Sequence, residues 1–412
     1  MVIHALGIIL PVMGLVMFPI IAIFLNVSSV MLFIMYDVML PLILFFVISR
    51  ALDDRPATYS KIDVSDHPDL PAGGRFRMGK SDVPAWPFAI IIAILLVAAG
   101  IWFFYSNLSA ITEEGQEVMQ MPEQNVQIYS AMMIIAGLGI GFAIYFILTS
   151  TQNIGVRDKT QEIEKEFREA LFQFGSTVSS GKPIEMAIDE SAKRMETLKI
   201  KELFKQASMN IKKMGMTFHQ AFFDEQYGAI KYYPSRLVKS VMRTITESAK
   251  RGVKTASMAM LSISRYLRGL HKTQEDVRAS LSDVTGSLRF QAYFLSPFIA
   301  GIISSMAVII IQILQRLGEQ TSSLGVAGVG GILGGITEGM GISPFEFILV
   351  VGIYVIESCF LLAMLLNGIE RGEDNIGRNY LIGWMLVTSI IVYVVSVSIS
   401  MMIFTPLITG MI

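Results

Sequence analysis

The sequence predicts an all-α, polytopic membrane protein that carries one helical bundle outside the bilayer. Three observations predict it. The chain is 53% hydrophobic and only 16% charged, with a mean hydropathy of +0.56, which is more apolar surface than one soluble core uses. Several apolar stretches reach the roughly 20 residues that cross a bilayer as a helix. Finally, 24 of the 33 lysines and arginines fall between Thr149 and Arg289, a segment whose apolar residues recur at helical spacing.

Seven stretches read as spans: Ile3 to Leu25, Val30 to Ile48, Pro87 to Tyr105, Ile128 to Leu148, Phe290 to Leu314, Phe345 to Leu366 and Leu381 to Phe404. No basic residue precedes the first, so it is read as a span and not as a cleavable signal. Basic residues favour the cytoplasmic side. The loop 49–86 holds 6 of them, the segment 149–289 holds 24 and the loop 367–380 holds 2, against Arg316 alone in the alternate loops. Alternation through seven spans agrees. The expectation is therefore a multi-pass cell-membrane protein with its N-terminus and residues 149–289 cytoplasmic and its C-terminus external. The loop from Ser106 to Gln127, with Glu113, Glu114, Glu117 and Glu123 and no basic residue, is then external. In order, the chain divides into two spans over 1–48, a basic loop over 49–86, two spans over 87–148, the bundle over 149–289, and three spans over 290–412.

Within the bundle, Ile163, Phe167, Leu171, Phe174 and Val178 form one apolar stripe that stops at Gly181-Lys182-Pro183. Glycine there supplies a left-handed cap and proline opens the next helix. A second stripe runs through Leu203, Ala207, Ile211 and Met214 to Gly215, and Thr217 with Gln220 reads as a capping box for a short helix through Phe223. Tyr233-Pro234-Ser235 starts a further helix with Leu237, Val241, Ile245 and Ala249 on its buried face and Gly252 at its end. The last helix carries Ala256, Met260, Ile263, Leu267, Leu270, Val277, Leu281 and Val284 towards the fifth span. Continued into the membrane, it would couple bundle and bilayer rigidly. With 24 basic against 16 acidic residues, the segment attracts anionic partners, whether lipid headgroups, nucleic acid or an acidic protein.

Motifs for chemistry are absent or lack context. The string from Gly74 to Ser81 satisfies GxxxxGK[ST], but Pro71, Pro84 and Pro87 crowd it and the loop has no room for a nucleotide-binding sheet. It reads as a chance match in a basic juxtamembrane loop. Tyr36-Asp37 matches one half of an intramembrane aspartyl protease signature, whose GxGD half is missing, so no carboxylate dyad exists to activate water. HExxH and GxSxG are missing too. The only cysteine, Cys359, lies within the sixth span, and His4, His67, His219 and His271 are scattered without ligand spacing. No enzyme, metal or cofactor is expected. Asp37 and Glu357 lie inside spans, where ionisable groups face protein or a water-filled cavity. They are read as packing or polar anchors, as a contact that moves during a working cycle, or as part of an ion pathway. Gly325 to Gly341 is glycine-rich and fits a re-entrant turn, a packing surface or a loop. Asn26 and Asn107 begin external Asn-x-Ser sequons.

The run from Phe172 through Gly175, Gly181 and Pro183 to Ile188 resembles the start of the type II secretion system F domain. The residues Gly215 to Phe222, Tyr227-Gly228-Ala229, Tyr233-Pro234-Ser235 and Gly252, and the exit from Ala279 through Gly286 to Phe298, are similar to the archaeal branch of that family. The match covers about 167–314. The resemblance implies a bundle of F-domain type in a membrane platform protein of a type IV pilus-like machine, an archaellum or adhesion pilus. It also implies partners: a hexameric secretion ATPase on the cytoplasmic face, and pilin or archaellin subunits extracted from the bilayer into a filament. Nucleic acid is not expected. Family members commonly carry two copies of the bundle and this chain shows one, so a homodimer or a second platform subunit is expected to supply the other half. The ATPase-facing surface is placed at Lys212, Lys213, Lys250, Arg251, Lys254, Arg265, Arg268 and Lys272, while Gly181, Pro183, Gly215, Tyr233, Pro234 and Gly252 are assigned to architecture. The competing reading is a multi-pass transporter or channel using Asp37 and Glu357.

Overall fold

The computed structural model describes residues 28–53, 71, 73–78, 81–113, 123–233, 235–323, 343–372 and 374–409. The first expected span, the glycine-rich segment 325–341, Pro234, His4, His67, Asn26 and the side chain of Asn107 lie outside what is described. Six helices among the described residues are long and apolar enough to cross a membrane. They coincide with the second to seventh expected spans.

Helix α1 (Ser29–Asp53) is apolar on nearly every side and contains a π-helical stretch, Ile34–Met39. The stretch ends just before Pro41, whose missing N–H interrupts the α register. Two short strands, β1 (Arg75–Met78) and β2 (Ser81–Pro84), pair antiparallel. This hairpin departs from an all-helical chain. Phe76 packs edge-on against Phe88 at 5.6 Å, and the Gln152 amide exchanges two 2.8 Å hydrogen bonds with the Arg77 backbone. Ser81 therefore opens a strand where a phosphate-binding loop would open a helix.

Helix α2 (Trp86–Glu113) lies along α3 (Glu123–Ser179). The 57 residues of α3 extend about 85 Å. The sequence suggested a span and then a separate helix, but no proline interrupts the chain between Pro122 and Pro183, and one helix runs from membrane to bundle.

The bundle continues with α4 (Ile184–Arg194), α5 (Lys201–Met214), α6 (Phe218–Phe223), α7 (Arg236–Lys250) and α8 (Val253–Ser280). Its core is separate from that of the membrane helices. Phe174, Phe204, Phe218 and Phe222 stack through it with ring centroids 5.4 to 6.4 Å apart. Ser257 and Ser264 of α8 donate to the carbonyls of Gly175 and Arg168 on α3 at 3.1 and 2.8 Å. The buried Asn210 donates to the carbonyls of Ala221 and Tyr227, closing the loop after α6 onto α5.

Several expected faces shift. On α7 the buried residues are Val238, Met242, Ile245 and Thr246, while Leu237, Val241 and Ala249 only border the core. A row taken strictly every four residues drifts about 40° per step around a helix of 3.6 residues per turn, so only Ile245 of the expected row stays central. Met214, at the end of α5, is exposed. On α8, Val277 is exposed because the bundle core has ended.

After α8 come α9 (Ser282–Phe290), a π-helical stretch Gln291–Leu295, and α10 (Ser296–Ser323). The expected rigid exit is therefore jointed. Leu281 has φ −100° and ψ 0° between α8 and α9, where the hydroxyls of Ser280 and Ser282 bond back to the carbonyls of Asp276 and Ala279 and bend the axis. The π stretch again lies just before a proline, Pro297. Helices α11 (Pro344–Arg371) and α12 (Asn375–Thr409) complete the membrane part. Small and hydroxylated residues bring these helices together. Ser389 donates to the Ala292 carbonyl at 2.9 Å, and Tyr393, wholly buried, donates to the Ile348 carbonyl at 3.3 Å.

Candidate functional site

The basic residues singled out from the sequence fall into three places. Lys250 and Arg251 end α7, and Lys254 lies in the first turn of α8, so these three cluster around Gly252. All three are exposed, and Lys250 reaches Glu247 at 2.9 Å within its own helix. Arg265, Arg268 and Lys272 lie further along α8, with about 27 Å separating Lys254 from Lys272 at 1.5 Å per residue. Arg268 sits over the Phe172 ring of α3, its guanidinium carbon 5.7 Å from the centroid, and 3.8 Å from Glu169. Lys212 and Lys213 end α5. There Lys212 pairs with Asp189 of α4 at 2.8 Å, while Lys193 also contacts Asp189 at 3.1 Å. The Lys212 ammonium holds the Asp189 carboxyl down at about 2.

The turn residues take backbone roles. Gly181, Gly215 and Gly252 have φ of 85°, 66° and 114°, where side chains are strained. Pro183 is the N-cap residue of α4, one position before the helix proper. Thr217 and Gln220 form the reciprocal capping box, and Ser235 caps α7 through the Val238 N–H. Tyr233 borders the core, and its burial together with the Glu202 charge pushes its hydroxyl up to about 12.

Inside the membrane part, the fold brings Asp37 and Glu357 towards each other although they lie on α1 and α11. The Tyr36 and Tyr354 rings meet at a centroid distance of 4.4 Å, and the two carboxylates are close enough to repel. Asp37 is 5% exposed. Neither of its oxygens, nor Glu357 Oε2, finds a hydrogen-bond partner among the described residues. The wider π-helical turn buries Tyr36 and Asp37 side by side.

One ion pair escaped the sequence reading. Arg157 of α3 is 4% exposed, donates to Asp158 Oδ1 at 2.5 Å and is also paired with Asp374. Asp374 in turn accepts from the Gly377 N–H at 3.0 Å at the start of α12. The signal available was weak: Arg157 is one charge among the many that begin where the apolar run stops.

Among the described residues, no group of three or more His, Cys, Asp or Glu side chains is arranged to hold a metal. Comparison of the chain with family models, with curated proteins and with solved structures finds no match. Fold and site together define the class: a membrane-embedded, polytopic helical protein whose longest helix carries a separate helical bundle with a charged surface.

Proposed function

We propose that the chain is the membrane platform of an archaeal type IV pilus-like machine, an archaellum or adhesion pilus. On this reading it docks a hexameric ATPase on the cytoplasmic side of its bundle and passes the ATPase's motion to pilins in the bilayer. The resemblance of the bundle to the type II secretion F domain motivates it. The observation that carries it is the continuous α3, which joins the membrane core to a bundle whose Gly252 turn presents Lys250, Arg251 and Lys254 together. A charged tip on a stiff strut suits a salt-sensitive contact with a motor. The same reading takes seven spans, residues 149–289 in the cytoplasm and a second copy or second platform subunit to complete the platform.

The test is binding of the full chain in nanodiscs to the secretion ATPase from the same organism, at low and high salt. Binding that weakens with salt and on the Lys250→Glu/Arg251→Glu/Lys254→Glu triple change supports the platform and locates its docking face. Absence of binding at any salt, with the bundle folded, removes it. One observation favours a second reading, a transporter or channel: the buried, unpartnered Asp37 beside Glu357. Proton-coupled uptake in liposomes that Glu357→Gln abolishes would select that reading.

A further inference from the structure

A cavity of about 340 Å³ lies where the jointed exit from the bundle meets the end of α11, lined by Gln161, Arg278, Ser282, Thr285, Arg289 and Arg371 among others. Three arginines converge on it from α8, α9 and α11, with Glu370 the one acidic residue in the lining. Arg289 grips the Glu370 carboxylate with two bonds, at 3.0 and 2.6 Å. Arg278 reaches only the Glu370 carbonyl, at 3.3 Å. No carboxylate lies within ion-pairing distance of Arg278 or Arg371 among the described residues. Arg371 feels the Arg157 guanidinium on one side and the carboxylates of Asp374, Glu370 and Asp158 on the other, and of these Asp158 and Asp374 are paired directly with Arg157. The cavity therefore holds two guanidinium groups that make no direct ion pair among the described residues, beside two hydroxyls and a side-chain amide. Guanidinium forks and hydroxyl donors recognise the oxygens of a phosphate.

The position of the cavity selects among phosphates. Arg371 is the last residue of an apolar membrane helix, and Arg289 stands near the start of another. Immediately after Arg289, the rings of Phe290, Phe294 and Phe298 lie exposed along the helix, with successive centroids 5.6 and 5.3 Å apart. That ladder covers about 12 Å of helix axis and begins at the level of the cavity. A basic pocket between helices at the headgroup level, continued by an exposed apolar stripe, has the form of a lipid site. We propose that this cavity binds the headgroup of one anionic phospholipid, its phosphate held by Arg278 and Arg371 and its chains laid along the phenylalanine ladder. The site touches none of the residues assigned to ATPase docking, so it stands or falls independently of the platform reading.

The full chain is reconstituted in nanodiscs of phosphatidylcholine with graded phosphatidylglycerol, and retained lipid is counted by mass spectrometry after mild extraction. The wild type should retain one phosphatidylglycerol per chain in preference to phosphatidylcholine. Near a membrane surface each arginine is worth about fivefold in affinity, so Arg278→Gln/Arg371→Gln should weaken retention about 30-fold, while Arg278→Lys/Arg371→Lys keeps most of it. Arg243→Gln, on the bundle surface, should change nothing. If the double glutamine variant does not fold, Arg278→Gln alone, at an exposed side chain, decides with a loss of about fivefold. Equal retention of phosphatidylcholine and phosphatidylglycerol, or unchanged retention in the glutamine variants, overturns the site. Displacement of the lipid by millimolar glycerol 3-phosphate would assign the cavity to a soluble phosphate and overturn the lipid.

Discussion

The buried pair of Arg157 and Asp374 offers the sharpest test of how the membrane part is held to the long helix. The perturbation is Asp374→Asn. Asparagine keeps an oxygen to accept from the Gly377 N–H, so the start of α12 remains capped, and what is removed is the charge facing Arg157. Taking one partner from a buried pair costs about 3–5 kcal/mol, because the remaining charge stays desolvated. Here Asp158 still holds the other face of the guanidinium, but its side chain is 59% exposed, so it compensates only in part. The expected loss is therefore about 2–3 kcal/mol, just below that range. Asp374→Ala should lose about 1 kcal/mol more, since the cap goes as well. Equilibrium unfolding in mixed micelles, followed by circular dichroism, measures both. Arg157→Met combined with Asp374→Asn should recover most of the loss, because no charge is left uncompensated. A loss below about 0.5 kcal/mol for Asp374→Asn, or a double variant as unstable as the sum of the singles, would refute the assignment of this pair as a buried clamp.

Three further outcomes follow from the same geometry. Gly252 has φ 114° and ψ 157° with open space where a side chain would point, so Gly252→Ala should lose about 1–3 kcal/mol through backbone strain alone, read from the same unfolding curves. Gly352 of α11 lies so close to α3 that a Cβ would sit 2.2 Å from the Ile135 side chain. Gly352→Ala should therefore cost about 1–3 kcal/mol of stability through overpacking, seen as a lower melting temperature, and Ile135→Ala should relieve much of it; a Gly352→Ala variant as stable as wild type would contradict the close crossing. Asp189 titrates below its ordinary 3.8, at about 2, because of Lys212. A depressed carboxyl stabilises the fold above its unfolded value and loses that contribution as pH falls through the folded one. The stability difference between wild type and Lys212→Met should be full above about pH 4 and shrink towards zero by about pH 2, in an acid titration of the helical signal.

The sequence made the membrane helices legible because each is a long apolar run bounded by charge, and periodicity carried the bundle nearly as well. Local chemistry was equally readable: Gly181 falls at the positive-φ turn it was assigned, Gly215 and Gly252 end their helices as expected and do so with positive φ, and Thr217 with Gln220 makes its box. What was lost was long-range or directional. Arg157 and Asp374 are 217 residues apart, and nothing local to either says that it is buried. Asp37 and Glu357 were visible as intramembrane carboxylates, yet their approach depends on α1 packing against α11. The face of α7 was misplaced because Leu237 and Val241 stand beside Val238 and Met242 on adjacent rows, and only the packing of its neighbours selects between them. The hairpin at 75–84 was hidden by its charge, since Arg75 and Arg77 read as a solvated loop until Gln152 supplies the partner for the Arg77 backbone.

The two connections between bundle and membrane differ in kind, and the difference constrains any account of motion. On one side α3 passes through without a break, and a bend in it would have to disrupt consecutive backbone hydrogen bonds. On the other, the path from α8 to α10 has a joint at Leu281 and a π-helical stretch at Gln291–Leu295. A displacement of the bundle is therefore passed to the membrane helices through α3, while the second path yields. Where α3 leaves the apolar region, Arg157 and Asp374 tie it to the turn between α11 and α12, so the load is shared with those helices at that level. The arginine-lined cavity lies at the yielding joint, with Ser282 and Thr285 in its wall. A bound headgroup there would bridge α8, α9 and α11 and stiffen the path that otherwise gives. On the platform reading, lipid composition then sets how much of the motor's stroke is absorbed by the joint and how much reaches the helices that meet pilin.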